Sequence, residues 1–242
     1  MRKPRQNRFY PLFLDLDGAT CLVVGGGGVG ERKIKGLVRC GARVRLIAAQ
    51  LTPWLDKACS SGDVEFAGKE YDKAQLTGTA LVFAATSDPK LNRTIREDAL
   101  ELGIWCNMAT DPELGSFIVP SLVERGPLSI AISTAGLSPA IAKALRLRLE
   151  NEFGAEWEFF IQLLGALRKS IISASIQERD SRRVFNALAA LPLPEWLRLG
   201  EWEKAFLKVS ETCGPLLSAE ELQSTWDHLW KPFFSLSQRS VT

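Results

Sequence analysis

A glycine-rich run at residues 25–30 constrains the fold of this chain more than any other feature of its sequence. It follows a short apolar run at residues 20–24, which predicts a buried parallel strand. The segment after it has apolar residues at helical spacing and ends at Cys40-Gly41, which predicts a helix. The run fits G-x-G-x-x-G, and this pattern between a strand and a helix is typical of dinucleotide-binding domains.

Each glycine of that pattern has a physical role in the interpretation. Gly25 permits a tight turn, Gly27 lets the backbone approach a pyrophosphate, and Gly30 lets the helix pack close to the sheet. The alternative is a flexible glycine-rich loop without a ligand, but the flanking strand and helix favour the phosphate site. The candidate cofactor-binding residues are Gly25, Gly27, Gly28, Val29, Gly30, Ala49, Gln50 and Thr86.

The first half of the chain alternates strands with helices. Buried strands are predicted at residues 20–24, 43–48, 64–67, 81–85 and 104–108. Besides the helix after the glycine run, helices are predicted at residues 51–60 and 91–102. Strands alternating with helices indicate right-handed crossover units. The predicted fold class is therefore α/β, with a Rossmann-type doubly wound parallel sheet.

The pattern changes in the second half. Two β-rich runs at residues 117–123 and 128–134 predict a hairpin, and Ser138-Pro139 predicts the start of a helix that continues to about residue 150. After it the sequence indicates only helices, with a break at the proline-rich stretch 191–194; the candidates are residues 156–175, 181–191 and 218–230. We predict a dinucleotide-binding domain at 1–112, a hairpin–helix segment at 113–150 and an α-helical domain at 151–242.

Composition excludes several classes of protein. The 30 basic and 28 acidic side chains nearly balance, which argues against a nucleic-acid-binding protein. No apolar run approaches the ~20 residues of a membrane helix, and the basic N-terminus lacks the long apolar core of a secretory signal. The cysteines are widely spaced and His228 is the only histidine, so neither a disulfide framework nor a zinc site is indicated. Reduced thiols and a cytoplasmic location are expected.

The ribose-binding acid that usually follows the second strand is missing. No Asp or Glu occurs between Glu31 and Asp56, and Gln50 or backbone groups are the candidates to replace it. Arg43 and Arg45 raise the possibility of NADP, whose 2′-phosphate an arginine can accept. The favoured alternative is that both arginines face away from the cofactor, because strand side chains alternate between the two faces of a sheet.

Residues 21–48 resemble the precorrin-2 dehydrogenase family, which includes the N-terminal half of siroheme synthase. The matching residues are Val23 to Gly27, Val29, Arg32-Lys33 and Gly41 to Val44, and Gly30 stands where alanine is common. Further matches follow in order at residues 83–88, 106–107, 111–112, 116–121 and 133–139. The resemblance covers about residues 10–150.

The resemblance implies an activity. NAD would accept a hydride from precorrin-2 to give sirohydrochlorin, and some members of the family also insert ferrous iron to give siroheme. It also implies a homodimer in which the segment 113–150 exchanges contacts between subunits. Two alternatives are another NAD(P)-dependent oxidoreductase and a non-catalytic NAD(H)-binding module that regulates a partner through its helical part.

The resemblance also indicates catalytic and substrate-binding candidates, with one departure. The family places an aspartate three residues after Asn107, where this chain has Thr110 followed by Asp111. Asp111 either acts as the base or is only a turn residue before proline, and Thr110 could orient a water or the substrate. Asn107 could donate to a substrate carboxylate or simply end its strand. Ser133 and Thr134 are implied tetrapyrrole contacts, with turn hydrogen bonding as the alternative.

Other candidates have weaker support. A substrate with many carboxylates favours cationic surroundings, and the nearest candidates in the sequence are Arg93, Arg96, Arg125, Lys143 and Arg146. His228 is interpreted as a packed helix residue rather than an iron ligand, so the metal ligands stay unassigned. The tryptophans that cluster after residue 151 indicate core or dimer packing, with a partner-binding surface as the alternative.

Overall fold

The computed structural model describes residues 9–173, 178–214 and 216–237. The chain divides into two compact units, the first reaching to Val119 with Ala135–Leu137, and the second comprising Pro120–Thr134 and the chain from Ser138 onward. The predicted division at residues 112 and 150 stays a prediction. Residues 1–8, which bear on the secretory-signal prediction, lie outside the described residues.

The first unit contains a parallel sheet of five strands in the order β3-β2-β1-β4-β5. The strands are β1 (Thr20–Val24), β2 (Arg43–Ile47), β3 (Glu65–Gly68), β4 (Leu81–Ala84) and β5 (Trp105–Met108). Each lies within a residue or so of its predicted position. The strand order reverses between β1 and β4, which is the topological switch point of a doubly wound fold. The predicted fold class is confirmed.

Helices cover both faces of this sheet. On one face, α1 (Gly28–Arg39) and α2 (Pro53–Ser60) bury Ile34 and Leu55 against β1 and β2. On the other face, α3 (Pro89–Glu101) and a short 3-10 helix at Lys73–Leu76 cover the alternate side chains of the same strands. Both α2 and α3 begin with a side-chain cap followed by proline, which has no N–H to leave unpaired.

The second unit opens with a hairpin formed by β6 (Ser121–Arg125) and β7 (Leu128–Ile132). Gly126 has a φ of 53° and takes the first position of its two-residue turn. The prediction that the first strand begins at residue 117 is wrong. Residues 117–120 form no strand, since Pro120 cannot donate to a ladder.

Helices make up the rest of the second unit. They are α4 (Pro139–Glu152), α5 (Glu156–Ser173), α6 (Glu178–Ala190), α7 (Leu193–Arg198), α8 (Trp202–Cys213) and α9 (Ala219–Ser237). The predicted break lies between α6 and α7. The predicted end of α5 at residues 174–175 lies outside the described residues, and α7 and α8 were not predicted. No helix within the described ranges is long and apolar enough to cross a membrane.

Aromatic side chains form the centre of this helical core. The Phe159 ring is 1% exposed and packs edge-on against Trp226 and Trp230, with ring centroids 5.0 and 5.4 Å away. Trp202 stacks on Trp230 at 4.8 Å. The clustered tryptophans therefore pack in a core, as one of the two sequence interpretations predicts.

Candidate functional site

The glycine loop lies at the switch point of the sheet, between β1 and α1. Gly25 has a φ of 125°, and a Cβ there would stand 2.3 Å from the Ala85 carbonyl oxygen. A Cβ at Gly30 would stand 1.9 Å from the Gly25 carbonyl oxygen, so α1 crosses close to the end of β1. Only glycine meets both constraints without a backbone shift.

The next part of the loop is open instead of crowded. A Cβ built at Gly27 or Gly28 would meet nothing within 4 Å. Gly27 caps α1, whose first N–H groups have no partner within the helix. These N–H groups border a cleft of about 920 Å³. The residues that line the cleft include Gly25 to Gly28, Val29, Ala49, Gln50, Thr86 and Leu91. The positive end of a helix facing such a cleft suits a pyrophosphate.

The segment after β2 forms another wall of this cleft. Ala49 and Gln50 are exposed, and the Gln50 carbonyl approaches Gly26 so closely that a Cβ there would stand 2.2 Å from its oxygen. Thr52 N–H donates to the Gly26 carbonyl at 3.1 Å. The G-x-G-x-x-G pattern accepts any residue at the position of Gly26, so the requirement for glycine there was missed.

The arginines of β2 lie away from this cleft. Arg45 donates to the Gln75 carbonyl at 3.1 Å and pairs with Glu65 at 3.5 Å. Arg43 begins β2, at the end of the strand opposite to the glycine loop. This arrangement matches the favoured alternative, in which neither arginine faces the cofactor.

Thr52 also connects α1 to α2. Its hydroxyl donates to the Glu31 carboxylate at 2.5 Å and accepts from the Leu55 N–H at 3.3 Å, as the N-cap of α2. Lys35 donates to the other Glu31 oxygen at 2.5 Å. The Lys35 and Thr52 hydrogen bonds lower the pKa of Glu31 below its ordinary value of 4.5. The hydrogen bonds among Glu31, Lys35 and Thr52 therefore connect the first turn of α1 to the start of α2, beside the cleft.

The sequence interpretation also missed Asn92, on the first turn of α3. Its side chain is completely buried and its oxygen accepts from the Thr86 N–H and hydroxyl at 3.2 and 2.8 Å. Its nitrogen donates to the Thr86 carbonyl at 3.0 Å and to the Thr110 hydroxyl at 3.3 Å. Thr86 and Thr110 follow β4 and β5, so one amide connects the ends of two strands. An asparagine after an Asp-Pro helix start carries no sequence signal for this role.

Asn107, on β5, has a different set of contacts. It is 5% exposed, and its side-chain nitrogen donates to the Phe117 carbonyl at 3.0 Å. The Phe117 ring packs edge-on against Phe83, with centroids 5.4 Å apart. One of the two amide hydrogens of Asn107 is therefore used to fix the segment that follows β5.

Thr110 and Asp111 lie where β5 leaves the sheet. Thr110 is exposed, whereas Asp111 is partly buried and its carbonyl accepts from the Leu114 N–H at 3.1 Å. The backbone of Asp111 thus starts a turn, and its carboxylate has no hydrogen bond among the described residues. The turn role of Asp111 thus rests on its backbone, which leaves its carboxylate to act as a base.

The second unit contains the other substrate-binding candidates. The Thr134 hydroxyl donates to the Ser138 carbonyl and accepts from the Ser138 N–H, both at 3.1 Å, and Ser133 is the exposed residue before it. The loop continues through Ala135, whose φ of 52° is unusual for a residue with a Cβ. The two bonds of Thr134 match the alternative interpretation, in which this residue forms turn hydrogen bonds instead of contacting a tetrapyrrole.

Three of the five cationic candidates already have partners. Arg96 donates to the Leu114 carbonyl at 3.1 Å, Arg125 to the Glu150 carbonyl at 3.0 Å, and Arg146 pairs with the Glu150 carboxylate. Arg93 and Lys143 are exposed and have no ion pair among the described residues.

The prediction that His228 packs within its helix is wrong, because the structure places it exposed on α9. Within residues 9–173, 178–214 and 216–237, no three His, Cys, Asp or Glu side chains come together as a metal site. Cys21, Cys106 and Cys213 are buried free thiols, and burial raises the pKa of each to about 11.

The doubly wound sheet and its glycine-lined cleft define a Rossmann-type dinucleotide-binding protein, and family models agree. Residues 12–121 match an NAD(P)-binding family model, and residues 125–152 match the model of the sirohaem biosynthesis protein central region. An NAD(P)-binding region is thus followed directly by a segment that matches a sirohaem biosynthesis protein, and the resemblance stated from the sequence is confirmed.

Individual relatives agree with this assignment. The chain is 40% identical over 177 residues to siroheme synthase 1 of Aeromonas salmonicida, which covers 73% of this chain and 38% of that protein. It is 35% identical over 175 residues to siroheme synthase of Methylobacillus flagellatus, covering 72% and 37%. The chain thus matches about two fifths of the length of these relatives. The structure of SirC, a precorrin-2 dehydrogenase, has the same fold, with a TM-score of 0.68 at 23% identity over 92% of this chain and 100% of SirC.

Proposed function

We propose that the chain is an NAD-dependent dehydrogenase that oxidises precorrin-2 to sirohydrochlorin. The observation that carries the proposal is the open glycine loop at the switch point of the sheet. The same chain continues into a segment that matches a sirohaem biosynthesis protein. The relatives named siroheme synthase and the fold shared with SirC support the same substrate.

The loop fits the cofactor physically. Gly27 and Gly28 leave free the volume that side chains would fill, and the first N–H groups of α1 point to a phosphate site. When bound, the nicotinamide of NAD supplies a hydride acceptor, so that precorrin-2 and NAD⁺ become sirohydrochlorin, NADH and a proton. We propose that Gln50 or the backbone beside it binds the ribose, since Ala49 and Gln50 line the cleft where the acid is missing.

The chain must also accept the proton that leaves. Asp111 is the proposed base, because its carboxylate has no hydrogen bond in the described residues and it lies in the turn that follows β5. Thr110 is the proposed group that orients substrate or water. Asn107 and Thr134 are proposed substrate contacts through the hydrogen-bonding capacity that their structural bonds leave unused, and the exposed Ser133 is proposed as a contact beside Thr134.

An anaerobic assay with precorrin-2 and NAD, following sirohydrochlorin absorbance, tests the proposal. Wild-type chain is expected to turn over, and Asp111→Ala and Asp111→Asn to lose about 10²-fold or more in kcat, the usual contribution of a general base. Glu113→Ala, which removes an exposed acid from the same turn, is the matched control and should keep wild-type kcat.

Other results would separate the alternatives. Wild-type turnover that Asp111→Asn leaves unchanged would move the base elsewhere. Tight NAD binding without turnover would overturn the dehydrogenase and favour an NAD(H)-dependent regulatory module. Turnover of a different substrate alone would favour another oxidoreductase. Adding ferrous iron to the same assay tests siroheme formation, which stays a prediction of the resemblance.

We also propose that the chain forms a homodimer through the segment 113–150 and acts in the cytoplasm. Support for the dimer comes from α4, where Ile141 and Leu145 lie one turn apart and are 55% and 41% exposed. Sedimentation of wild-type chain should give the mass of a dimer, and Ile141→Glu should give a monomer. An unchanged dimer in Ile141→Glu would place the interface elsewhere.

A further inference from the structure

The Asn92 amide uses its full hydrogen-bonding capacity on two loops. An amide side chain has two N–H donors and an oxygen with two lone pairs. In Asn92 both donors and both lone pairs are occupied, three of them by Thr86 and one by Thr110. A buried amide that is satisfied in this way holds its partners in one arrangement, because breaking any bond leaves an unpaired buried group.

This network fixes the wall of the dinucleotide cleft. Thr86 lines the cleft, yet its N–H and carbonyl are bonded to Asn92 and its hydroxyl contacts Asn92 and the Asp88 backbone. The Thr86 backbone therefore has no free donor for a ligand. Its contribution to the cleft is the shape of the loop, and Asn92 sets that shape.

The same amide orients the Thr110 hydroxyl. Asn92 donates to its oxygen at 3.3 Å, so the hydroxyl hydrogen must point elsewhere. Thr110 is exposed, and within the described residues its hydroxyl has no second partner. Thr110 therefore presents a hydrogen-bond donor at the end of β5, which suits a carbonyl or carboxylate oxygen of a ligand and not the removal of a proton.

We infer that Asn92 is a positioning residue, which shapes the Thr86 wall for dinucleotide binding and turns the Thr110 hydroxyl outward as a donor to the bound reactants. The second half of this inference rests on the proposed function, whereas the first half concerns binding of the dinucleotide alone. Asn92 itself contacts no ligand, because its side chain is completely buried and fully bonded.

The test measures NAD binding and turnover separately in Asn92→Leu, which keeps the approximate size of the side chain and removes every hydrogen bond. The Kd for NAD is expected to rise about tenfold, because the Thr86 loop loses the bonds that hold its shape and NAD must then order it on binding, at a cost of about one net hydrogen bond. Ile95→Ala is the matched control: Ile95 is fully buried in the same helix and has no bond to either loop. Its Tm should fall at least as far as that of Asn92→Leu, with an unchanged Kd for NAD.

Thr110 variants test the other half. Thr110→Val should leave the Kd for NAD unchanged and lower kcat, and Thr110→Ser should restore kcat because it keeps the hydroxyl. The Asn92→Leu/Thr110→Val double variant should have the kcat of Asn92→Leu alone, since both changes remove the same oriented donor.

Asn92→Asp covers the case in which the leucine variant fails to fold. A carboxylate still accepts from Thr86 but cannot donate to its carbonyl or to Thr110, and protonation restores one donor. Its kcat relative to wild type should therefore recover as the pH falls. A wild-type Kd for NAD in both Asn92 variants would overturn the inference. Failure of wild-type chain to oxidise precorrin-2 would overturn the proposed function, while the Kd for NAD would still test Asn92.

Discussion

Gly25 and Ala85 are in close contact just beyond the paired ends of β1 and β4: a Cβ on Gly25 would stand 2.3 Å from the Ala85 carbonyl oxygen. That oxygen belongs to the backbone, so no change of side-chain rotamer would relieve the clash. Gly25 also has a φ of 125°, in a region that residues with a Cβ rarely adopt. Gly36, in α1 of the same unit, has helical backbone and nothing within 4 Å of its Cβ position.

Alanine should therefore have opposite effects at these two glycines. Gly25→Ala is expected to lower the free energy of unfolding by about 2 kcal/mol, from backbone strain and the displaced carbonyl, and to weaken NAD binding. Gly36→Ala is expected to raise the free energy of unfolding by about 0.5–1 kcal/mol, because alanine is the better helix former. Urea unfolding with an NAD titration measures both. Equal effects of the two substitutions would contradict the geometry at Gly25.

The Glu31 cluster predicts a pH-dependent contribution to stability. The Lys35 and Thr52 hydrogen bonds hold the pKa of Glu31 below its ordinary value of 4.5. A carboxylate with a depressed folded-state pKa stabilises the protein above the unfolded pKa, and the effect is lost as the pH falls through the folded-state pKa. Glu31→Gln should therefore unfold at lower urea than wild type at pH 7, and the difference should shrink below about pH 4.5.

The control for this prediction is the Lys35→Met background, which removes the partner with the largest effect on Glu31. In that background, Glu31→Gln should cause a smaller loss of stability at pH 7 than it does in the wild-type chain. A loss that is the same at pH 3 and pH 7 would show that the ionised carboxylate contributes nothing.

Arg198 and Glu156 form an ion pair that connects α5 to α7. Glu156 is only 7% exposed, and Arg198 Nε donates to its carboxylate at 3.0 Å while Nη2 also donates to the Glu152 carbonyl at 2.7 Å. Arg198→Leu should lower the free energy of unfolding by about 2 kcal/mol, because it leaves the buried Glu156 carboxylate unpaired. The loss should be smaller than for a fully buried pair, because the Arg198 side chain is half-exposed to solvent.

An exposed pair in the neighbouring helix α6 is the matched control. The side chains of Arg182 and Glu178 are 76% and 80% exposed and pair across one helical turn. Arg182→Leu should change the free energy of unfolding by about 0.5 kcal/mol or less, since solvent screens such pairs. Chemical denaturation of both variants measures the contrast, and comparable losses would contradict the role assigned to burial.

Much of the first unit follows from local sequence pattern. Buried parallel strands are continuous apolar runs, so residues 20–24 and 81–85 identify β1 and β4 without knowledge of their neighbours. The glycine run then fixes the turn at the switch point. The start of α3 follows from local sequence as well: residues 86–89 predict a turn and a helix start, and Asp88 caps the helix that begins at Pro89.

Contacts between distant residues were not predictable in this way. The bond from Asn92 to Thr110 joins residues far apart in sequence, and neither side chain interrupts a hydrophobic pattern. The extended segment at residues 117–120 has strand-forming residues, but Asn107 and Phe83 fix it without a ladder. Helix α8 was missed although its buried residues Ala205, Val209 and Cys213 recur at helical spacing and Phe206 packs on the same core, so its pattern was present in the sequence.

The cysteines provide a test of how the two units protect their cores. Burial raises the pKa of Cys21, Cys106 and Cys213 to about 11, so at neutral pH they are almost entirely protonated as well as inaccessible. Cys40 is exposed just after α1. Brief alkylation of native chain, mapped by mass spectrometry, should label Cys40 first and these buried thiols only in denaturant. Rapid native labelling of Cys213 would show that the core of α5, α8 and α9 opens, whereas rapid labelling of Cys21 or Cys106 would show opening of the sheet.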